Sequence, residues 1–229
     1  MIKLWQKALE KSYSCAILYT ALFTEDIMKI YKKIAGVTIA CSLSVLLLSG
    51  CTKGNKATQT TVYIDRNGKI TEAIVEDWDQ KYYDEHDLKS QIDNEIKQYE
   101  DENKDSSVKL NKFKVENKKI KVNLTYDSAS TYSEFNNITA FCGTILKAQE
   151  EGFSFDGKFN STNDKPSVTI EELDGSEEYS VYILSEKEKV NTEFKILYAS
   201  ENVKVSDNKK TAVISDEDEN SLAYLIYKK

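Results

Sequence analysis

The stretch "VKLNKFKVENKKIKVNLTY", residues 108–126, decides what kind of scaffold this chain builds. In its second half Ile120, Val122, Leu124 and Tyr126 alternate with Lys119, Lys121, Asn123 and Thr125. Strict alternation of apolar and polar side chains is the pattern of a strand with one dry face and one wet face. The first half shows Val108 and Leu110, then Phe113 and Val115, a shift of phase by one residue. A bulge near Asn111-Lys112 restores the inward face, because one extra residue returns the side-chain period to register. Asn117-Lys118 supplies the turn, so the stretch reads as an antiparallel hairpin.

Upstream, "TTVYIDRNGKITEAIVEDW" reads as two more strands around Arg66-Asn67-Gly68, since Asn-Gly tolerates the positive φ angles of a tight hairpin turn. Between the hairpins, Leu88, Ile92, Ile96 and Tyr99 form one apolar stripe at helical spacing. Asp84 is placed to cap that helix, which is expected over residues 85–103. Downstream, Phe135, Ile138, Phe141, Ile145 and Ala148 suit a second helical stripe over 129–152, with Gly152 as its stop and Gly143-Thr144 as a possible break. The last third is read as strands: "SVTIEEL", "EYSVYIL", "TEFKILYASENVKVS", "TAVIS" and "SLAYLIYKK". The expected fold is α+β, a single domain over 60–229. It consists of an antiparallel β-sheet with one long helix and a second helical region packed on it.

The first fifty residues differ in character. "MKIYKKIAGVTIACSLSVLLLSGC" places Lys29, Lys32 and Lys33 ahead of fifteen uncharged residues, 34–48. That run is short for a membrane span but suits the apolar core of a signal peptide. Leu48-Ser49-Gly50-Cys51 then resembles the lipobox of bacterial lipoproteins. The resemblance implies that residues 28–50 are a signal peptide and that Leu48, Ser49 and Gly50 are read by its peptidase. It also implies that Cys51 becomes the acylated first residue of the mature protein. Residues 51–59, "CTKGNKATQ", read as the lipidated cysteine and a flexible polar tether. Residues 1–27 precede the basic start of the signal, so the native start is expected at Met28, with 1–27 a mis-called extension. The partners expected are the membrane, reached through lipid on Cys51 on its extracytoplasmic face, and an unidentified extracytoplasmic ligand or protein.

Residues 51–229 hold 25 basic and 35 acidic side chains, a net charge near −10, and Arg66 is the only arginine. Nucleic-acid binding, which draws on clustered Lys and Arg, is not expected. With Cys51 acylated, Cys142 is the sole remaining cysteine of the mature chain, and it reads as a small buried side chain. His86 is the only histidine, so neither zinc nor a serine or cysteine triad is supported, and no cofactor is expected. Asp216, Asp218 and Asn220 begin like a calcium loop, but Ser221 and Tyr227 stand where that loop needs glycine and glutamate. The most suggestive surface stretch is "EDWDQKYYDEH", residues 76–86: Trp78 with Asp77, Asp79, Tyr82 and Tyr83 would make a stacking platform flanked by acceptors. The reading that results is a membrane-anchored, non-enzymatic domain that binds a ligand or partner outside the cell. The alternatives are a carboxylate-based envelope hydrolase acting on glycan or peptide, and a structural envelope component.

Overall fold

In the computed structural model the described residues are 54, 56–79, 84–163, 165–173, 178–215 and 221–228. The signal-like segment, Cys51, and Tyr82 and Tyr83 of the expected platform lie outside them. Strands β1 (Thr61–Ile64) and β2 (Ile70–Asp77) pair antiparallel around the Asn-Gly turn. Strands β3 (Val108–Glu116) and β4 (Lys119–Tyr126) form the hairpin of the opening stretch, and their register shifts between Leu110 and Lys112. The bulge is held by the Asn111 amide, which donates to Asn123 Oδ1 at 3.1 Å and to Thr125 Oγ1 at 2.6 Å; the face expected to be wet is covered here, since Asn123 and Thr125 are both buried. Asn117 and Lys118 both take positive φ, 52° and 57°, the handedness that a two-residue turn between twisted strands demands. Helix α1 (Glu85–Glu102) begins at Asp84, whose side chain accepts from Asp87 N at 2.9 Å, and it packs beside β3. It buries only Leu88 and Ile92 of the four-residue stripe.

The fold class departs from the expectation. Among the described residues there are twelve strands and three helices, and the strands form a seven-stranded and a five-stranded sheet. The molecule is mostly β, and α1 lies beside one edge strand of a sheet rather than serving as the main layer. The larger sheet runs β10-β11-β8-β1-β2-β4-β3 and the smaller β5-β7-β12-β9-β6. Neither the second sheet nor the parallel pairing of β1 with β8 (Lys189–Thr192) was expected. Parallel partners far apart in sequence leave no local turn signal, so periodicity alone does not reveal them.

The region 129–152 is also corrected. It divides into α2 (Ala129–Asn136), β5 (Ala140–Thr144) and α3 (Ile145–Glu150). Asn137, at φ 52°, ends α2, and the Thr144 side chain caps α3 by accepting from Lys147 N at 3.1 Å. Phe141 on the strand and Ile145 and Ala148 on the helix enter one apolar cluster with Val181, Ile183 and Ile226. Their shared destination, not a continuous helix, produced the apparent stripe. "SVTIEEL" is not a strand either. Val168 makes one isolated bridge to Phe159, and the following turn sends Ile170 and Leu173 into the same cluster.

The remaining strands are β6 (Asn160–Ser161), β7 (Tyr179–Leu184), β9 (Ile196–Ala199), β10 (Val203–Val205), β11 (Thr211–Ile214) and β12 (Ala223–Lys228). α2 touches β4 of the larger sheet and β5 of the smaller, which joins the two. Ala57, read as part of the tether, is buried, with its N–H bonded to Gly54 O at 3.0 Å. A Cβ on Gly54 would fall 2.9 Å from Ala73 Cβ, so this stretch lies against β2.

Candidate functional site: a basic cleft at the sheet crossover

The chain leaves the larger sheet at Thr192, the end of β8, and enters the smaller one at Ile196, the start of β9. The three residues between them, Glu193, Phe194 and Lys195, make the crossover. Their backbone is pinned on both sides. Glu193 N donates to Ile64 O at 3.0 Å, Thr192 N to Lys210 O at 2.8 Å, and Ile196 N to Lys209 O at 2.7 Å. The Thr192 hydroxyl donates to Phe194 O at 2.7 Å. This corner therefore has little freedom, and the side chains it carries are held in place.

The β1–β2 turn is fastened to the same corner. Asp65 Oδ1 accepts from Asn67 N at 2.8 Å and Lys69 N at 2.9 Å, a local brace that short acidic side chains make in turns. Arg66 N donates to Glu193 Oε2 at 3.3 Å. Gly68 takes φ 82°, and a Cβ there would sit 3.2 Å from Cys142 Sγ, so the turn packs closely on β5. Phe194 stacks on Tyr227 of β12, with centroids 3.5 Å apart and planes 13° apart. Burial, then the neighbouring Cys142, pushes the Tyr227 phenol far above its ordinary range, so it stays protonated.

A cleft of about 440 Å³ opens here, lined by Arg66, Glu193, Phe194, Lys195, Lys210, Tyr227 and Lys228. The volume falls within the range of small-molecule sites. Lys228 is engaged already: its Nζ pairs with Glu178 at 2.7 Å and lies 4.4 Å from the Tyr179 ring centre. That hydrogen bond raises the Lys228 pKa and lowers that of Glu178. Arg66, Lys195 and Lys210 are exposed and have no ion pair among the described residues. A second cleft, bounded by α2, β5 and α3, contains Lys147, but there it pairs with Glu151 at 3.7 Å and Glu134 adds further negative charge.

The expected platform around Trp78 does not coincide with either cleft. Trp78 is half-buried beyond the end of β2, its backbone N–H donating to Lys118 O at 2.8 Å. Asp77 is tied to Lys119 at 2.7 Å, and Asp79 is exposed. Carboxylates with raised pKa do occur, but elsewhere. Glu72 is 4% exposed on β2 and accepts from the Tyr126 hydroxyl at 2.9 Å. Burial, then the charge of Glu186, pushes its carboxyl up to about 8, while the tyrosine hydrogen bond opposes the shift. Glu186 accepts from Tyr132, and burial raises it too. Tyr126 and Tyr132 meet edge to face at 4.9 Å over this acid pair. Their phenols are raised well above the ordinary range by burial and then by the charge of Glu72. With Glu72 enclosed this way, the pair reads as a packed polar seam rather than a reaction centre.

Asp84, His86 and Asp87 present three exposed ligand atoms within 4.8 Å of one another, enough to offer a cation three contacts. One of these groups already caps α1. Among the described residues no helix is long and apolar enough to cross a membrane.

The fold and cleft define a mostly-β, two-sheet domain with a small positively charged opening at one of the places where the chain changes sheets. Compared with protein families, characterised proteins and solved structures, the chain matches none.

Proposed function

We propose that this protein is a lipid-anchored, extracytoplasmic ligand-binding domain that works by binding rather than by catalysis. The observation that carries the reading is the junction at Leu48-Ser49-Gly50-Cys51. There a lysine-led apolar run ends on two small residues and a cysteine, and a polar stretch follows. No single acyl chain anchors a protein stably, whereas a diacylated cysteine supplies two. The binding half of the reading draws support from the crossover cleft, a concave opening with an aromatic base and convergent charged groups. The acid pair most suited by pKa to proton transfer has Glu72 buried under Tyr126, which weighs against the hydrolase alternative.

The test is metabolic labelling with an alkyne fatty acid in a bacterial host, followed by fractionation. The native chain should take up label and sediment with membranes. Cys51→Ala should lose the label. If both proteins are labelled equally, or neither is, the anchoring reading fails.

A further inference from the structure

We infer that the crossover cleft takes a small organic acid, a ligand with a phosphate or carboxylate at one end and an apolar or ring-shaped body at the other. The inference rests on the reading of the cleft as the binding site and adds the chemistry of its ligand.

Charge distribution is the first argument. Residues 51–229 carry an excess of ten acids, and Arg66 is the one arginine in the chain. That arginine nevertheless lies in the same opening as Lys195 and Lys210. These three come from the β1–β2 turn, the β8–β9 crossover and the β10–β11 turn, so the cluster is made by the fold and not by a basic run in the sequence. Like charges gathered in a concave opening repel one another and concentrate the potential there, an arrangement that an anion relieves. Arginine adds a planar fork of donors that matches both carboxylate and phosphate oxygens.

The second argument is the lining. The buried Phe194–Tyr227 stack borders the same space, and half-buried Glu193 lines it too, with one oxygen already accepting from Arg66 N. A bare inorganic anion would leave the apolar part of the lining unused. A neutral ring would leave three cations in the opening against the single carboxylate of Glu193. A molecule with both parts satisfies both sides of the opening.

The experiment measures binding of four probes to the full-length protein by isothermal titration: phenyl phosphate, benzoate, inorganic phosphate and phenol. At least one of the two ring acids should bind saturably, more tightly than either phenol or inorganic phosphate, and more weakly as salt is added. Arg66→Gln and Lys210→Gln each remove an exposed cation and should weaken that binding about tenfold, equivalent to about 1.4 kcal/mol, with the melting temperature unchanged. Lys147→Gln, in the second cleft, should leave it as it was. The inference is overturned if neither ring acid binds saturably. It is also overturned if phenol or inorganic phosphate binds as well as the acids, or if Arg66→Gln and Lys210→Gln have no effect. These outcomes are independent of Cys51 labelling, so the ligand chemistry and the anchoring stand or fall separately.

Discussion

A carboxyl group on the dry face of a strand must either find a positive partner or keep its proton. Burial pushes Glu72 toward the second course. It lies between Ile70 and Ile74 on β2, opposite Leu124 and Val62, with a tyrosine hydroxyl as its hydrogen-bond partner and a second acid, Glu186, nearby. Its folded pKa of about 8 is above its ordinary value of 4.5, so between those limits the folded protein binds more protons than the unfolded chain. The contribution of this group to stability is therefore fully present below about pH 4.5 and is lost progressively as pH rises to about 8. Glu72→Gln retains an acceptor for Tyr126 and removes the titration. The variant should melt higher than the native protein at pH 8, and the difference should shrink on going down to pH 5. Thermal denaturation followed by circular dichroism across that range measures it, and a variant less stable at every pH would contradict the assignment.

Gly68 makes a second argument at the same scale. Its φ of 82° suits glycine, and a Cβ would press on Cys142 Sγ at 3.2 Å. Gly68→Ala should destabilise by about 1–2 kcal/mol, read from urea unfolding, because both strain and crowding act on one atom.

At the scale of elements, the parts that local chemistry writes were legible. The Asn-Gly turn, the capped helix at Asp84 and the bulge beside Asn111 all lie where side-chain period and turn chemistry put them. The turn at Asn117-Lys118 offers a direct check of that logic. Lys118 sits at φ 57°, a conformation that disfavours side chains with a Cβ. Lys118→Gly should accordingly stabilise the protein by about 0.5–1 kcal/mol in the same unfolding assay, and destabilisation would mean the lysine makes a contact that outweighs its backbone cost. The parts that depend on distant partners were not legible. β5 looked helical because Phe141, Ile145 and Ala148 share one cluster across a strand-to-helix junction, although Gly143-Thr144 marked the place where the period changes. β8 is short and half polar, and its parallel neighbour β1 is more than a hundred residues away in the chain, so neither its face nor its partner leaves a local trace.

For the molecule as a whole, the candidate site repeats that lesson. The linear cluster around Trp78 was conspicuous, yet Asp77 is paired with Lys119, and Tyr82 and Tyr83 lie outside the described residues. The cleft instead gathers three of its cations one each from two hairpin turns and the β8–β9 crossover, and the only sequence signal was that the chain's single arginine sits in a hairpin turn. On the proposed reading, a domain with an excess of acidic groups that gathers cations in one opening is held at a membrane surface through Cys51, behind the apolar run of residues 34–48. That arrangement has a covalent consequence that intact-mass spectrometry reads directly. Protein taken from the membranes of its native host should begin at Cys51, carry the added mass of a diacylglyceryl group on that residue, and lack residues 1–50. A chain that retains its leader, or begins at Cys51 with an unmodified thiol, would contradict the account.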